Sequence, residues 1–287
     1  MDHTFHTCRR PLIAIGIVAL AFTEARSIPA APQELPPPPA VVRNARAAAP
    51  VDLTGYWVSV VTEDWTERMM TPPRGEYPGI PLSPTGRLTA DGWDPAKDHA
   101  TGNACRAYGA GGVMRQPGRL HITWQDDNTL KVETEAGMQT RLLRFDAPPP
   151  QARGEPQWQG SSAARWTTAL PAGAAGEDSP GRGGREGRRP PAGALKVTTT
   201  GMRPGYLRLN GIPYGANATL TEYFDRVPGP NSAPAPGGAS WLIVFSVVED
   251  PVNLLQPFIT SAHFKLEPDG SKWKPRPCET TLPVRGK

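Results

Sequence analysis

The feature that most constrains the fold of this chain is a series of nine short runs rich in β-branched and aromatic residues, separated by Gly, Pro and Asx turns. The runs occupy residues 56–61, 118–125, 129–135, 139–145, 158–166, 195–200, 218–227, 241–248 and 258–265. Between residues 51 and 278 no long segment shows the 3.6-residue period of an amphipathic helix. This pattern is typical of an all-β protein, and we expect one β-barrel domain over residues 51–280.

Two turns indicate how the strands connect. Asp126, Asp127 and Asn128 join two alternating runs, and a second turn follows at once at Ala136 and Gly137. Hairpins in succession place sequence neighbours side by side. We therefore predict a single antiparallel meander barrel of about 8–10 strands.

Two segments do not fit the strand pattern. Residues 70–98 contain six prolines and predict an irregular crossover, with a short helix between Pro84 and Trp93, that could cover one end of the barrel. Residues 171–193 are rich in Gly, Pro and Arg and poor in apolar side chains, which predicts a mobile insertion between two strands.

The first residues follow the plan of a signal peptide. Arg9 and Arg10 precede an apolar run over residues 11–22, and small residues follow at 25–31. The run is shorter than the ~20 residues that cross a bilayer. We expect a cleaved leader over residues 1–31, a Pro/Ala-rich spacer over 32–50, a C-terminal tail over 281–287, and a periplasmic or secreted protein without a membrane span.

Two cysteines remain after the leader, which contains Cys8, is removed. In an oxidising compartment Cys105 and Cys278 are expected to form a disulfide, and two free thiols are the alternative. Neither cysteine has a Cys or His neighbour at the spacing of zinc ligands, so a structural zinc site is not expected.

Net charge and motifs exclude several classes of function. The formal charge of +4 is spread along the chain, and the one basic cluster, at residues 181–189, lies in Gly-rich sequence with acidic neighbours. This pattern argues against nucleic-acid binding. Phosphate-loop, dinucleotide and nucleophile-elbow motifs are missing from the sequence, so we expect no cofactor.

The segment Leu53-Thr54-Gly55-Tyr56-Trp57 leads into the first strand with a Gly-x-Trp pattern. It resembles the opening motif of the lipocalins. That resemblance implies a calycin-like barrel in which Trp57 plugs the closed end, under an Arg that could be Arg276. Residues 54–65, 121–130, 202–214 and 221–257 also resemble uncharacterised exported bacterial proteins, a likeness that implies no activity.

Strand alternation provides one candidate for chemistry. Glu222 shares the face of Ala218, Leu220 and Phe224. A carboxylate on the interior face of a barrel could act as an acid or base or could bind a polar ligand group. The alternative is a structural pair with Arg203 or Arg141.

His121 and His263 are candidate catalytic partners of Glu222. Both fall opposite an apolar face, so both could also be ordinary solvent-facing residues. Together with Glu133 they could compose a metal site, but no local spacing enforces one and none is predicted. Large side chains on the predicted strands either fill the core or line a pocket, and the candidate ligand contacts are Trp57, Trp124, Arg203, Phe224 and Trp241.

Three functions remain open at this point. The first is an exported protein that binds a small, partly apolar molecule. The second is a cofactor-free isomerase, cyclase or hydratase that uses Glu222 with His121 or His263. The third is a surface interaction protein without a cavity. The sequence does not indicate an oligomeric state, and a fold alone cannot choose among these functions.

Overall fold

The computed structural model describes residues 44–145, 155–167, 193–228, 240–281 and 283. The expected leader, almost all of the expected insertion at 171–193 and most of the tail lie outside the described residues, as does the spacer before residue 44. The strands of the barrel run from residue 55 to residue 267, inside the domain expected from the sequence.

Nine strands form a closed barrel. They are β1 (Gly55–Val60), β2 (Arg119–Asp126), β3 (Thr129–Thr134), β4 (Thr140–Arg144), β5 (Ser161–Thr167), β6 (Ala194–Thr200), β9 (Thr219–Pro228), β10 (Ser240–Glu249) and β11 (Phe258–Glu267). The two-residue strands β7 (Gly205–Tyr206) and β8 (Pro213–Tyr214) pair with each other in a separate hairpin. All nine predicted strands are therefore present, and each pairs with its sequence neighbour within the barrel.

The barrel is mixed and not purely antiparallel as expected. Strands β4 and β5 run parallel, with Leu143 opposite Ser162 and Arg144 opposite Ala163. The other eight junctions around the ring are antiparallel. Nine is an odd number, and strand directions cannot alternate around a closed ring of odd size. One junction must therefore be parallel, and β4–β5 is that junction.

Short helices occupy the long connection between β1 and β2. They are α1 (Trp65–Met69), α2 (Pro84–Asp91), α3 (Pro95–Ala100), a 3-10 helix (Ala104–Tyr108) and α4 (Ala110–Val113). Helix α2 is the helix predicted between Pro84 and Trp93. Its start is well specified, since Pro84 occupies the first turn and Ser83 Oγ accepts a hydrogen bond from the Gly86 amide at 2.9 Å.

Alternation along the strands gives the barrel an apolar interior. Leu220, Glu222 and Phe224 of β9 are all fully buried and project inward, while Thr221 and Tyr223 between them are partly exposed. Trp57, Ile122, Val132, Leu195, Val244 and Phe264 belong to the same core cluster as Phe224.

A second apolar cluster closes one end of the barrel. Tyr77, Leu82 and Ala90 from the long connection pack with Leu220 and Phe258 of the barrel strands. The connection therefore covers one barrel end, as predicted. The hairpin β7–β8 contributes Tyr214 to the same cluster.

Cys105 and Cys278 form a disulfide with an S–S distance of 2.05 Å. It joins the 3-10 helix to the segment that follows β11. Within the described ranges, no helix is sufficiently long and apolar to span a membrane.

Candidate functional site

A cleft of about 260 Å³ lies at the covered end of the barrel, between helix α2, hairpin β7–β8 and the loop after β10. We call it the barrel-end cleft. Its lining residues are Thr89, Gly92, Trp93, Arg106, Pro204, Gly205, Tyr206, Pro213, Tyr214, Gly215 and Asn253. Three large aromatic residues and one cation therefore border one concave surface in which polar and apolar groups are mixed.

The cation of the cleft is held by two neighbours. Arg106 Nη1 donates to Asp98 Oδ1 and to the Tyr206 hydroxyl, each at 2.9 Å, and the Tyr206 hydroxyl donates to Asp98 Oδ2 at 2.7 Å. Arg106 also lies over the Tyr206 ring at 5.2 Å. Its side chain is 37% exposed, whereas that of Asp98 is 8% exposed. The guanidinium is therefore fixed in place while one side still reaches solvent.

The phenol of Tyr206 stays protonated over the physiological range. Burial raises the pKa of Tyr206, and its hydrogen bond to Asp98 raises it further, against the opposing effect of Arg106. Tyr206 thus acts as a neutral hydrogen-bonding wall of the barrel-end cleft.

Tyr214 is seated in a cradle of glycines. A Cβ placed on Gly109 would come within 2.1 Å of the Tyr214 hydroxyl, and one on Gly205 within 2.5 Å of it. A Cβ on Gly111 would lie 2.8 Å from the edge of the ring. These glycines are needed because the backbone approaches the ring too closely for any side chain. Gly109 and Gly111 thus belong to a tightly packed part of the structure.

The Tyr214 hydroxyl is fully buried and makes no well-formed hydrogen bond within the described part of the chain. Burial raises the pKa of Tyr214, while the charge of Arg141 and the amide of Gly111 act in the opposite direction. The phenol is therefore neutral and lies between the cleft and the interior of the barrel.

A carboxylate organises the far side of the cleft. Asp250 Oδ2 accepts from the Gly215 amide at 2.7 Å and from Asn253 Nδ2 at 2.8 Å, and Oδ1 accepts from the Val252 and Asn253 amides. Burial acts to raise the pKa of Asp250, but the hydrogen bonds from Asn253, Gly215 and Val252 outweigh it, so the pKa is lowered. The side chain of Asn253 is thereby held against the cleft.

Glu222 lies inside the barrel, where it is paired with Arg141. Arg141 Nη1 donates to Glu222 Oε1 at 3.0 Å and Nη2 to Oε2 at 2.5 Å, and both side chains are 0% exposed. Arg141 Nη2 also contacts the Thr199 hydroxyl at 3.4 Å, and that hydroxyl hydrogen-bonds Ser162 at 2.8 Å. This geometry matches the alternative in which Glu222 forms a structural ion pair, and its partner is Arg141, not Arg203. None of the described cavities is lined by Glu222.

The structure does not bring His121 and His263 to Glu222. Both histidines are partly exposed on the outer side of the barrel wall, and Glu222 projects inward. His121 stacks on Tyr56 with ring centres 4.1 Å apart and contacts Glu133 through Nδ1 at 3.1 Å. His263 Nδ1 contacts the Thr62 hydroxyl at 2.8 Å.

The two histidines are also apart from each other. On the intervening strand β1, Tyr56 is opposite His121 and Val60 is opposite His263. Four strand residues correspond to about 13 Å. Among the described residues, no group of three or more His, Cys, Asp or Glu side chains is placed to hold a metal ion.

Two of the predicted ligand contacts, Trp57 and Phe224, are fully buried in the barrel core. Trp57 Nε1 donates to the Leu53 carbonyl at 3.0 Å. The cation over the Trp57 ring is Arg226 of β9, at 5.7 Å, and not Arg276 as the lipocalin resemblance implied. Arg276 instead donates its amide to the Glu135 carbonyl and lines another surface cavity, because the chain after β11 leaves the barrel wall.

The other three predicted contacts lie at separate places. Trp124 packs with Phe145 and Trp166 and borders a cavity of about 400 Å³ next to residues 46–54. Trp241 contacts His263 on the outer wall. Arg203 precedes the cleft-lining Pro204 in sequence. Its guanidinium lies over the Trp158 ring at 4.3 Å and donates a hydrogen bond to the Asn103 side chain. The five candidates therefore do not converge on one pocket.

The residues of the barrel-end cleft were not singled out from the sequence. Tyr206 and Tyr214 lie on strands of two residues, and Arg106 lies on a single 3-10 turn. Elements this short carry no hydrophobic period. The available signal was the density of Gly, Tyr and Arg in residues 202–214.

We compared the chain with known proteins. No family model, no curated protein and no solved structure matches it.

Proposed function

We propose that this protein binds a small molecule in the barrel-end cleft, and that the ligand combines a flat apolar body with a carboxylate or similar anionic group. The observation that carries the proposal is that Trp93 and Tyr206 line the cleft beside the partly exposed guanidinium of Arg106, while Tyr214 is almost fully buried. Arginine forms strong, directional hydrogen bonds to carboxylates. Aromatic side chains supply apolar contact area without much loss of conformational entropy.

The position of Arg106 supports this assignment. Both hydrogen bonds described for its side chain use Nη1. Nη2 can therefore serve a ligand without breaking the Asp98–Tyr206 network. Asn253 provides a second polar contact from the opposite wall.

We further propose that the protein is exported and that its barrel is of the calycin-like kind. The leader-like N-terminus and the disulfide between Cys105 and Cys278 support export, since disulfides persist in oxidising compartments. A closed barrel of sequential strands supports the lipocalin-like reading. Cell fractionation with N-terminal sequencing of the mature chain tests export, and a cytoplasmic protein that begins at Met1 would contradict it.

The two other functions have less support. Proton transfer through Glu222 would require the buried pair with Arg141 to open, and both candidate histidines lie on the other side of the wall. A surface interaction protein would not need the barrel-end cleft.

The binding proposal is tested with benzoate as an aromatic carboxylate probe, using isothermal titration calorimetry on wild-type protein. We expect saturable binding that weakens at least about tenfold in Arg106→Met, because a charge-assisted hydrogen bond is lost. Arg165→Met is the matched control, since Arg165 is exposed on β5 and does not line the cleft.

Native mass spectrometry of protein purified from its own host identifies the natural ligand. A co-purified acid that is lost in Arg106→Met supports the proposal. The absence of benzoate binding together with a ligand-free native spectrum would refute it.

A further inference from the structure

Three buried arginines meet beneath helix α1. Arg68, Arg115 and Arg208 are 4%, 6% and 5% exposed. Charged side chains are rarely so deeply buried unless each finds partners. The partners of the three differ sharply.

Two of the three arginines have partners for both terminal nitrogens, although the Nε of each is buried without a hydrogen-bond partner among the described residues. Asp64 Oδ2 accepts from Arg115 Nη2 at 2.7 Å and from Arg208 Nη2 at 2.8 Å, and Glu63 Oε1 accepts from Arg115 Nη1 at 3.1 Å. Arg208 Nη1 donates to the Pro78 carbonyl at 2.9 Å. Asp64 holds this position with a left-handed backbone, φ 49°, which is costly for a non-glycine residue.

Arg68 is not satisfied in the same way. Its Nε donates to the Arg115 carbonyl at 2.9 Å, but Nη1 and Nη2 are buried with no hydrogen-bond partner among the described residues. Burial and the neighbouring charge of Arg115 lower the pKa of Arg68 to about 10, against the effects of Glu63 and Asp64. Arg68 is still charged at neutral pH, so its two terminal nitrogens call for an acceptor that the described residues do not supply.

A small cavity lies beside these groups. All three arginines line it, together with Glu67, Gln116 and two leucines. The space open to the centre of a water molecule is about 10 Å³. This corresponds to roughly one water-sized site. A site of this size suits a single atom or a single water.

Charge favours an ion over a water. Glu63 and Asp64 are 39% and 40% exposed and are screened by solvent, whereas the guanidinium groups they face are buried. Glu67 adds a third negative charge, which acts on Arg208. The three arginines and the three carboxylates cancel in formal charge, but the cations are buried while Glu63 and Asp64 are partly exposed.

We propose that this cavity is a chloride site, in which Arg68 is the principal ligand and Arg115 and Arg208 supply further positive charge. The ion ties α1 to the segments that carry Arg115 and Arg208. The site is separate from the barrel-end cleft, because the two cavities share no lining residue.

Crystals of the wild-type protein grown in sodium bromide provide the direct test. An anomalous peak at the bromine absorption edge within hydrogen-bond distance of Arg68 Nη1 or Nη2 is the expected result. Density for a water at that position without an anomalous peak would overturn the proposal, as would a position that stays empty.

Thermal unfolding in solution gives a second readout. At constant ionic strength, replacing gluconate by chloride should raise the Tm saturably. The expected rise is about 3 °C when the chloride concentration is roughly ten times its Kd. Arg68→Met should lose this difference and Arg165→Met should keep it. An equal chloride effect in both variants would contradict the site, and if Arg68→Met fails to fold, the bromide experiment on wild-type protein decides.

Discussion

Arg141 and Glu222 meet face to face inside the barrel, joined by two hydrogen bonds of 3.0 and 2.5 Å, with neither side chain exposed. Strand β4 supplies the cation and strand β9 the anion, and β5 and β6 lie between them in the strand order. Desolvating two charges is costly, and only a close, bidentate pairing offsets that cost. The pair therefore fixes how these two strands face each other across the core.

Removing either member of this pair should be strongly destabilising. Arg141→Met or Glu222→Leu should each lower the free energy of unfolding by about 3–5 kcal/mol, because the remaining charge is buried without a partner. The double variant should lose much less than the sum of the two. Urea unfolding followed by circular dichroism measures all three, with Arg165→Met on the outer face as control. Simple additivity of the single variants would show that the pair is not coupled.

The glycine cradle of Tyr214 allows a test by rescue. Gly109→Ala and Gly111→Ala should each cost about 1–3 kcal/mol by overpacking. Tyr214→Phe should recover part of the loss in Gly109→Ala, where the clash is with the hydroxyl, and little in Gly111→Ala, where it is with the ring. Gly92→Ala, whose nearest neighbours lie at 3.4 Å or beyond, is the control for denaturation experiments. Equal rescue of both variants would contradict the cradle geometry.

Asp250 should contribute to stability in a pH-dependent way. Its pKa is lower in the folded protein than the unperturbed value, so its contribution is fully present above about pH 4 and is lost as the pH falls through the folded pKa. Asp250→Asn replaces an acceptor oxygen by a donor group facing the Gly215 amide, and we expect a loss of about 1–3 kcal/mol at pH 7.

The same variant should differ much less from wild type near pH 2. Chemical denaturation at pH 7 and near pH 2 measures the difference in free energy of unfolding between wild type and Asp250→Asn at each pH. A gap of constant size at both pH values would show that the carboxylate charge is not what matters at this position.

The nine barrel strands were predictable because their β-branched and aromatic residues alternate and because turns separate them. Strand β1 was predicted over residues 56–61 and spans Gly55–Val60 in the structure, a shift of one residue. Strand boundaries were predicted less accurately for β5, which begins at Ser161 and not at residue 158. Gly160 has a positive φ of 58° just before it. Alternation also placed Glu222 correctly on the inner face.

The parallel junction and the barrel-end cleft could not be predicted in this way. Strand direction depends on where the chain runs between β4 and β5, and side-chain alternation reads the same in both directions. The cleft is built from single turns whose positions depend on contacts distant in sequence, such as the hydrogen bond from Ser83 to Asn253. His121 and His263 were candidates by residue type, and residue type does not indicate which wall face has a cavity.

The disulfide between Cys105 and Cys278 should contribute to the stability of the fold. It closes a loop over 173 residues of sequence. Cross-links of this span restrict the unfolded chain, and we expect Cys105→Ser with Cys278→Ser to lower the free energy of unfolding by about 2–5 kcal/mol. Comparing unfolding of the oxidised wild type, the reduced wild type and the double variant checks this. An oxidised protein no more stable than the double variant would contradict the expectation.

The parallel β4–β5 junction closes the barrel with little strand pairing. Within the described residues, this junction has two residue pairs in register, whereas β9 and β10 share ten. Thermal fluctuations open a structure first where the fewest backbone hydrogen bonds must break. Arg141 of β4 and Ser162 of β5 lie on the inner face at that closure. When this junction opens transiently, entering water contacts Arg141 and Ser162, which it can hydrate. Trp57 and Phe264 lie on β1 and β11, away from the opening.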